Sequence, residues 1–148
     1  ATGDMFAEGG VRTLWSEPGE EAGRKVSTAV SAERLRYLAE PGRAEYEGGV
    51  EVRQLDRELD ATRLVVELDE ARRVRRMVAA GGVTIVDRKS GRKVEGETAE
   101  HDLVARTILV EGSPVVLSES DGSKLRGPRL LYDVATGSAR MIGSGESQ

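Results

Sequence analysis

Cysteine is absent from the 148-residue chain, and its only aromatic residues are one tryptophan, three tyrosines and one phenylalanine. Without cysteine the chain has no disulfide bonds, thiolate nucleophiles or cysteine-ligated metals. The single histidine, His101, excludes a zinc site with two histidine ligands. No apolar run approaches the ~20 residues that a membrane-spanning helix needs. We therefore expect neither a metal nor a cofactor.

The charge balance shows no basic excess. Lys and Arg number 22 against 26 Asp and Glu, a net charge of -4, so we expect no nucleic-acid partner. The length fits one domain, which we predict to span residues 1–148. The first residues, Ala1 to Asp4, carry neither a charged nor an apolar targeting region, and any such segment is expected to be removed or to lie outside this sequence.

Apolar residues fall mainly at alternate positions, which predicts β-strands with one buried face. The clearest runs are Val50-Glu51-Val52, Leu64 to Leu68 and Val83-Thr84-Ile85. Polar breaks between the strands predict turns at Asp69–Arg72, Arg88–Gly91, Glu119–Gly122 and Asp133–Gly137. The stretch Ser27–Glu40 also permits a helical period of 3.6, whereas the repeat described next assigns it a strand.

The chain repeats itself internally. Repeats open near residues 8, 47, 80 and 111, with Glu-Gly-Gly-Val, Glu-Gly-Gly-Val, Ala-Gly-Gly-Val and a degenerate Glu-Gly. A second motif follows in three of them, at Leu64–Glu67, Ala99–Asp102 and Leu130–Asp133, and a third strand leads to the next glycine. The first repeat is irregular, since it contains a polar insertion at Ser16–Arg24. The pattern predicts an all-β protein built from antiparallel β-meander units of about 30 residues. The Gly-Val opening is also explained by a bulge or by a position with a positive φ, where glycine is needed.

The residues alone leave two kinds of core open. The inward positions are mostly Val, Leu, Ile and Ala, and bulky rings are few. Such a β-structure either closes tightly, as most stacked β-repeats do, or leaves an apolar trough for an acyl chain. A closed core would suit a structural module for assembly or adhesion, and a trough would suit a lipid carrier.

Several phrases, in order and at repeat spacing, resemble a known family. They are Tyr46 to Gln54, Leu64 to Asp69, Val78 to Ile85, Ala99 to Asp102, Leu109 to Val116 and Leu130 to Gly137. They resemble the OstA-like periplasmic domains of lipopolysaccharide transport, found in LptA, LptC and the N-terminal part of LptD. The resemblance covers residues 44–143 well. It departs in having Gly-Gly-Val where the family has Gly-Asn-Val, and His101 where the family has Tyr.

The resemblance implies an open β-jellyroll whose two sheets form a V-shaped trough for acyl chains. It further implies a non-catalytic periplasmic carrier or bridge component, with lipopolysaccharide or a similar acylated lipid as ligand. Homologous jellyrolls, including further copies of this chain, would pair head-to-tail with its terminal strands. Whether the protein is soluble, anchored to the inner membrane by a segment outside this sequence, or part of a longer fusion is left open. The inward positions give the expected lining: Val50, Val52, Leu64, Val66, Val83, Ile85, Ala99, His101, Val115, Leu117, Leu130 and Tyr132.

Three further groups of charged or titratable residues were considered as functional sites. Arg72, Arg73, Arg75 and Arg76 form a basic cluster that would suit lipid phosphates or an acidic partner. A solvated turn is the commoner explanation, because Asp69 and Glu70 flank the cluster. His101 is expected on the inner face, without a catalytic role. Carboxylates on one strand face, such as Glu95 and Glu97, also occur on any solvated strand, so we predict no enzyme.

Overall fold

The computed structural model describes residues 3–18 and 25–143, and every regular element in these ranges is a β-strand. The strands are β1 (Met5–Pro18), β2 (Lys25–Leu38), β3 (Arg43–Gln54), β4 (Arg57–Leu68), β5 (Val74–Asp87), β6 (Arg92–Asp102), β7 (Thr107–Ser118), β8 (Lys124–Asp133) and β9 (Ala139–Ile142). They form one antiparallel sheet in the order β1 to β9. The all-β prediction is therefore confirmed, and most of the stretch that also permitted a helix is strand β2. Of the polar insertion, residues 19–24 lie outside the described residues.

A line of β-bulges crosses this sheet. The pairing register shifts between Glu47 and Val50 in β3, between Ala80 and Val83 in β5, and between Glu111 and Val115 in β7. The extra residues lie on the strands that carry the repeated glycines. A bulge bends its strand and increases the local twist without ending the strand. The predicted third strand at Ser138–Ile142 is confirmed as β9. As separate strands, those predicted at Val74–Val78 and Thr107–Val110 were wrong, because each continues through the bulge into the next repeat opening as one bent strand, β5 or β7.

The bulges divide the sheet into two half-sheets. Half-sheet A comprises residues 5–8, 34–38, 43–47, 63–68, 74–80, 98–102, 107–111, 129–133 and 139–142. Half-sheet B comprises residues 11–18, 25–31, 50–54, 57–60, 83–87, 92–95, 115–118 and 124–127. Apolar residues from both half-sheets join one core, including the fully buried Val50 of B and Leu64 of A. The sheet thus folds over along the bulges and packs its two halves face to face.

In two of the three Gly-Gly pairs, Gly48-Gly49 and Gly81-Gly82, the two glycines have different roles. Gly81 and Gly82 both have a positive φ, 85° and 87°. A Cβ atom on Gly81 would lie only 2.6 Å from the Thr62 Cβ atom of the neighbouring strand, whereas a Cβ atom on Gly82 would meet nothing within 4 Å. The same contrast recurs at Gly48, which faces Glu33, and Gly49. The first glycine therefore allows both the backbone angle and a close approach of strands, and the second allows the angle alone.

A buried tyrosine joins the half-sheets near the first strand. Tyr46 of half-sheet A is fully buried, and its hydroxyl lies 2.6 Å from the Thr13 hydroxyl of half-sheet B. The indole Nε1 of Trp15, also in B, donates to the same oxygen at 3.0 Å. Burial raises the pKa of Tyr46 above its usual value, although both hydrogen bonds oppose that shift. These contacts satisfy the buried hydroxyl and hold β1 against the rest of the fold.

Candidate functional site

Two adjoining cavities lie between the half-sheets on the side away from the bulges. The first measures about 500 Å³ including its open mouth, and residues of half-sheet B (Val52, Leu59) and of half-sheet A (Leu64, Ala79) face each other across it. The second measures about 430 Å³ and extends the space toward β8 and β9. The cavities share Arg57, Ile85 and Ile108. We call the combined space the trough.

The structure brings eight of the twelve expected lining residues to the trough and leaves four elsewhere in the core. The eight that line the trough are Val52, Leu64, Ile85, Ala99, His101, Leu117, Leu130 and Tyr132. The other four, Val50, Val66, Val83 and Val115, are at most 2% exposed and are packed in the core instead of lining the cavities. Three of these four directly follow a bulge.

Several lining residues were not predicted from the sequence. Leu59, Met77, Ala79 and Ile108 are apolar residues at inward positions beyond the two that we took from each motif. Counting the alternation along β5 would have identified Met77 and Ala79, which share the parity of Val83 and Ile85. Leu59 and Ile108 would have been missed, because the parity of the inward positions changes across the register shifts in β4 and β7. Arg57 gave no comparable signal, because a charged residue on an alternating strand is ordinarily assigned to the solvated face.

His101 lies on the trough wall with its cross-strand neighbours Met77 and Ile108. Burial lowers the pKa of His101 to about 4, and the positive charge of Arg57 adds to this effect, while Asp102 opposes it. The imidazole is therefore neutral at pH 7. This placement agrees with the expectation of an inner-face residue at the position that Tyr132 occupies in the next repeat.

The low pKa of His101 makes stability depend on pH. The unfolded chain takes up a proton on this histidine as the pH falls through about 6.5, whereas the native state does so only near 4, so acid favours unfolding across that window. We expect His101→Tyr to preserve stability at pH 7, because a ring of similar shape fills the site. Between pH 7 and 4.5 the wild type should lose about 2 kcal/mol more unfolding free energy than this variant. Urea denaturation at both pH values measures the difference, and parallel losses would contradict it.

The basic cluster predicted at the β4–β5 turn lies outside the trough, and all four arginines have intramolecular acceptors. Arg72 donates to the Ala39 carbonyl oxygen at 2.9 Å. The remaining ion pairs are Arg73 with Asp69 at 3.6 Å, Arg75 with Glu67 at 3.1 Å and Arg76 with Glu100 at 3.1 Å. Such exposed pairs are weak and exchange readily with other anions. Contact of this cluster with phosphates or an acidic partner stays a prediction.

The described residues contain no cluster of three or more His, Asp or Glu side chains placed to hold a metal ion. In the same part of the chain no helix is long and apolar enough to cross a membrane. The trough is the feature that these residues offer for a ligand. Its wall is mostly aliphatic, so its chemistry is that of apolar contact with a few polar and charged groups.

Comparison with known proteins was made by family and by structure. The family model described as LptA/(LptD N-terminal domain) LPS transport protein matches residues 29–138, about three quarters of the chain. The chain belongs to this LPS (lipopolysaccharide) transport family. The match begins within β2, so the irregular first repeat lies largely outside it. A search of curated protein sequences found no match.

A solved structure has the same fold as this LPS transport family member. It is the crystal structure of LptH from Pseudomonas aeruginosa, described as the LptA-homologous periplasmic component of the lipopolysaccharide transport device. The TM-score is 0.70 at 17% sequence identity, and the alignment covers 82% of this chain and 85% of that one. The similarity confirms the predicted open β-jellyroll.

Proposed function

We propose that this chain is a non-catalytic periplasmic component of LPS transport that shields the acyl chains of LPS in its trough. The observation that carries the proposal is the open, aliphatic space between two half-sheets of a chain that belongs to an LPS transport family. The description of LptH as a periplasmic component supports the location.

The chemistry of the wall suits acyl chains. Burial of a methylene group stabilises a bound chain by ~0.8 kcal/mol. Aliphatic contacts have no directional requirement, so a wall of Val, Leu, Ile and Ala tolerates chains of different length and position. A closed core, which the structural-module alternative requires, would leave no open apolar space between the half-sheets.

Native mass spectrometry tests this proposal. The purified chain, incubated with LPS or its acylated lipid A part, is expected to retain the lipid as a stoichiometric adduct that survives gentle desolvation. A protein of similar size without an apolar cavity provides the control for detergent-like adsorption. Spectra of the bare chain at every lipid concentration would favour the structural module.

The terminal strands supply surfaces for the expected partners. Strands β1 and β9 lie at the two edges of the sheet, and residues 124–127 of β8 extend beyond the segment that pairs with β9. Unpaired strand edges are templates for another chain's backbone, and Phe6 and Leu14 on β1 are exposed apolar residues. The proposed partners are further copies of this chain or homologous jellyrolls of the transport bridge.

We expect edge pairing to produce self-association or binding to a homologous jellyroll. Light scattering over a range of protein concentrations should show a rising mean mass, and Phe6→Lys should shift this rise to higher concentration, because edge lysines oppose strand pairing. Arg12→Lys on the same strand is a charge-conserving control. If the protein is a monomer at every concentration and does not bind a homologous jellyroll, the result would contradict the proposed edge pairing.

A further inference from the structure

Arg57 is a charged residue that lines both cavities of the trough. It opens β4, directly after the turn at residues 55–56. Its guanidinium carbon lies 5.5 Å from the centroid of the Tyr132 ring. Arg57 belongs to half-sheet B and Tyr132 to half-sheet A, and both residues lie near strand ends away from the bulges. The contact therefore spans the mouth of the trough.

Arg57 differs from the other arginines near this end of half-sheet B. Arg88 pairs with Glu58 at 2.8 Å, and Arg92 pairs with Glu119 at 3.0 Å. No carboxylate of the described residues forms an ion pair with Arg57, whose partner is an aromatic face. Its cross-strand neighbour Asp87 instead accepts the backbone N–H groups of the following turn at 2.9 and 3.3 Å.

The surroundings of Arg57 favour an anion. The polar groups that join it in the first cavity are Thr28, Gln54 and His101, and His101 is neutral at pH 7. In the second cavity they are Asp87, whose Oδ1 accepts backbone hydrogen bonds, and Arg92, which is paired with Glu119. The apolar wall removes water, which strengthens an electrostatic interaction at this position. A phosphate or carboxylate accepts a bidentate hydrogen bond from guanidinium, which a ring face cannot do.

We propose that Arg57 is an anion-binding residue of the trough. Its guanidinium leaves the Tyr132 ring and donates hydrogen bonds to a phosphate or carboxylate on the headgroup of a lipid whose chains lie against the aliphatic wall. This inference rests on the proposed function, because the chains hold the headgroup at the mouth. The chemistry alone would also suit free phosphate, and the experiment separates the two sources.

The probes are dodecyl phosphate, dodecanol and inorganic phosphate, each titrated into the full chain below micelle-forming concentration. The wild type should bind dodecyl phosphate about tenfold or more tightly than dodecanol, since hydrogen bonds to charged groups are strong. Arg57→Gln should reduce this preference to about twofold or less, because the variant loses the charge-assisted hydrogen bonds to the phosphate. Arg57→Lys should keep part of it. Arg63→Gln, an exposed arginine on the same strand, should keep all of it.

Each outcome has one meaning. Equal binding of both dodecyl probes to the wild type, or an undiminished preference in Arg57→Gln, overturns the role of Arg57 and leaves the trough intact. Tight binding of inorganic phosphate that Arg57→Gln abolishes makes the residue a free-anion site and overturns the headgroup role. Failure of the wild type to bind either dodecyl probe overturns the proposed function and this inference with it.

Discussion

Replacing Ile85 by tryptophan is expected to remove most lipid binding while leaving the jellyroll folded. Ile85 lines both cavities, so a larger side chain there fills the space where the cavities meet. Exclusion of about four methylene groups at ~0.8 kcal/mol each costs about 3 kcal/mol, which is more than a hundredfold in affinity. Because the added ring enters open space, the cost in stability should stay near the lower end of the ~1–3 kcal/mol typical of overpacked cores.

The matched control for this variant is Thr84→Trp. Thr84 is the preceding residue of β5 and does not line the trough, since adjacent strand residues face opposite sides. Lipid retention in native mass spectra and thermal unfolding should be recorded for both proteins. Ile85→Trp should lose the lipid adduct and Thr84→Trp should keep it. Full retention by a folded Ile85→Trp protein would show that the ligand does not occupy the trough.

Alanine at Gly81 is expected to destabilise the fold far more than alanine at Gly82. Both positions require a positive φ, which costs a residue with a Cβ atom ~1–2 kcal/mol. Only at Gly81 would the new Cβ atom also lie 2.6 Å from the Thr62 Cβ atom, so that two strands must separate. We expect a loss of about 1 kcal/mol at Gly82 and of about 3 kcal/mol or more at Gly81.

Urea denaturation of the two alanine variants measures this difference. A double variant tests the cause: Thr62→Gly should restore part of the stability that Gly81→Ala loses and none of what Gly82→Ala loses. Equal losses at the two glycines would mean that backbone angle alone explains the repeated pair. Asparagine at Gly82 should be tolerated better than alanine, because asparagine accepts the left-handed region.

The sequence pattern predicted inward-facing residues but not which of them line the trough. Val52 and Ile85 were assigned to the inner face by alternation, and both border the first cavity. Alternation could not separate them from Val50 and Val83, which have the same parity and are packed beside the bulges. Which inward residues border open space depends on how the sheet folds over, and this is a property of several strands together.

The mouth of the trough was the least predictable part. A bulge or a positive φ was a stated explanation of the Gly-Gly pair, and in β5 the pair has both, within a strand that continues from Val74 to Asp87. Arg57 was not identified, because its inward position is recognised only through the contact with Tyr132 on a strand far away in sequence. Long-range contacts of this kind leave no local pattern.

Site-specific photo-crosslinking in cells that make LPS tests the central claim most directly. A photoreactive side chain at position 85 of this chain points into the trough, and the same group at position 84 points away from it. The account predicts an LPS-crosslinked band from position 85 and only background from position 84 when the two proteins are present in equal amounts. Equal capture at both positions, or capture at position 84 alone, would contradict it.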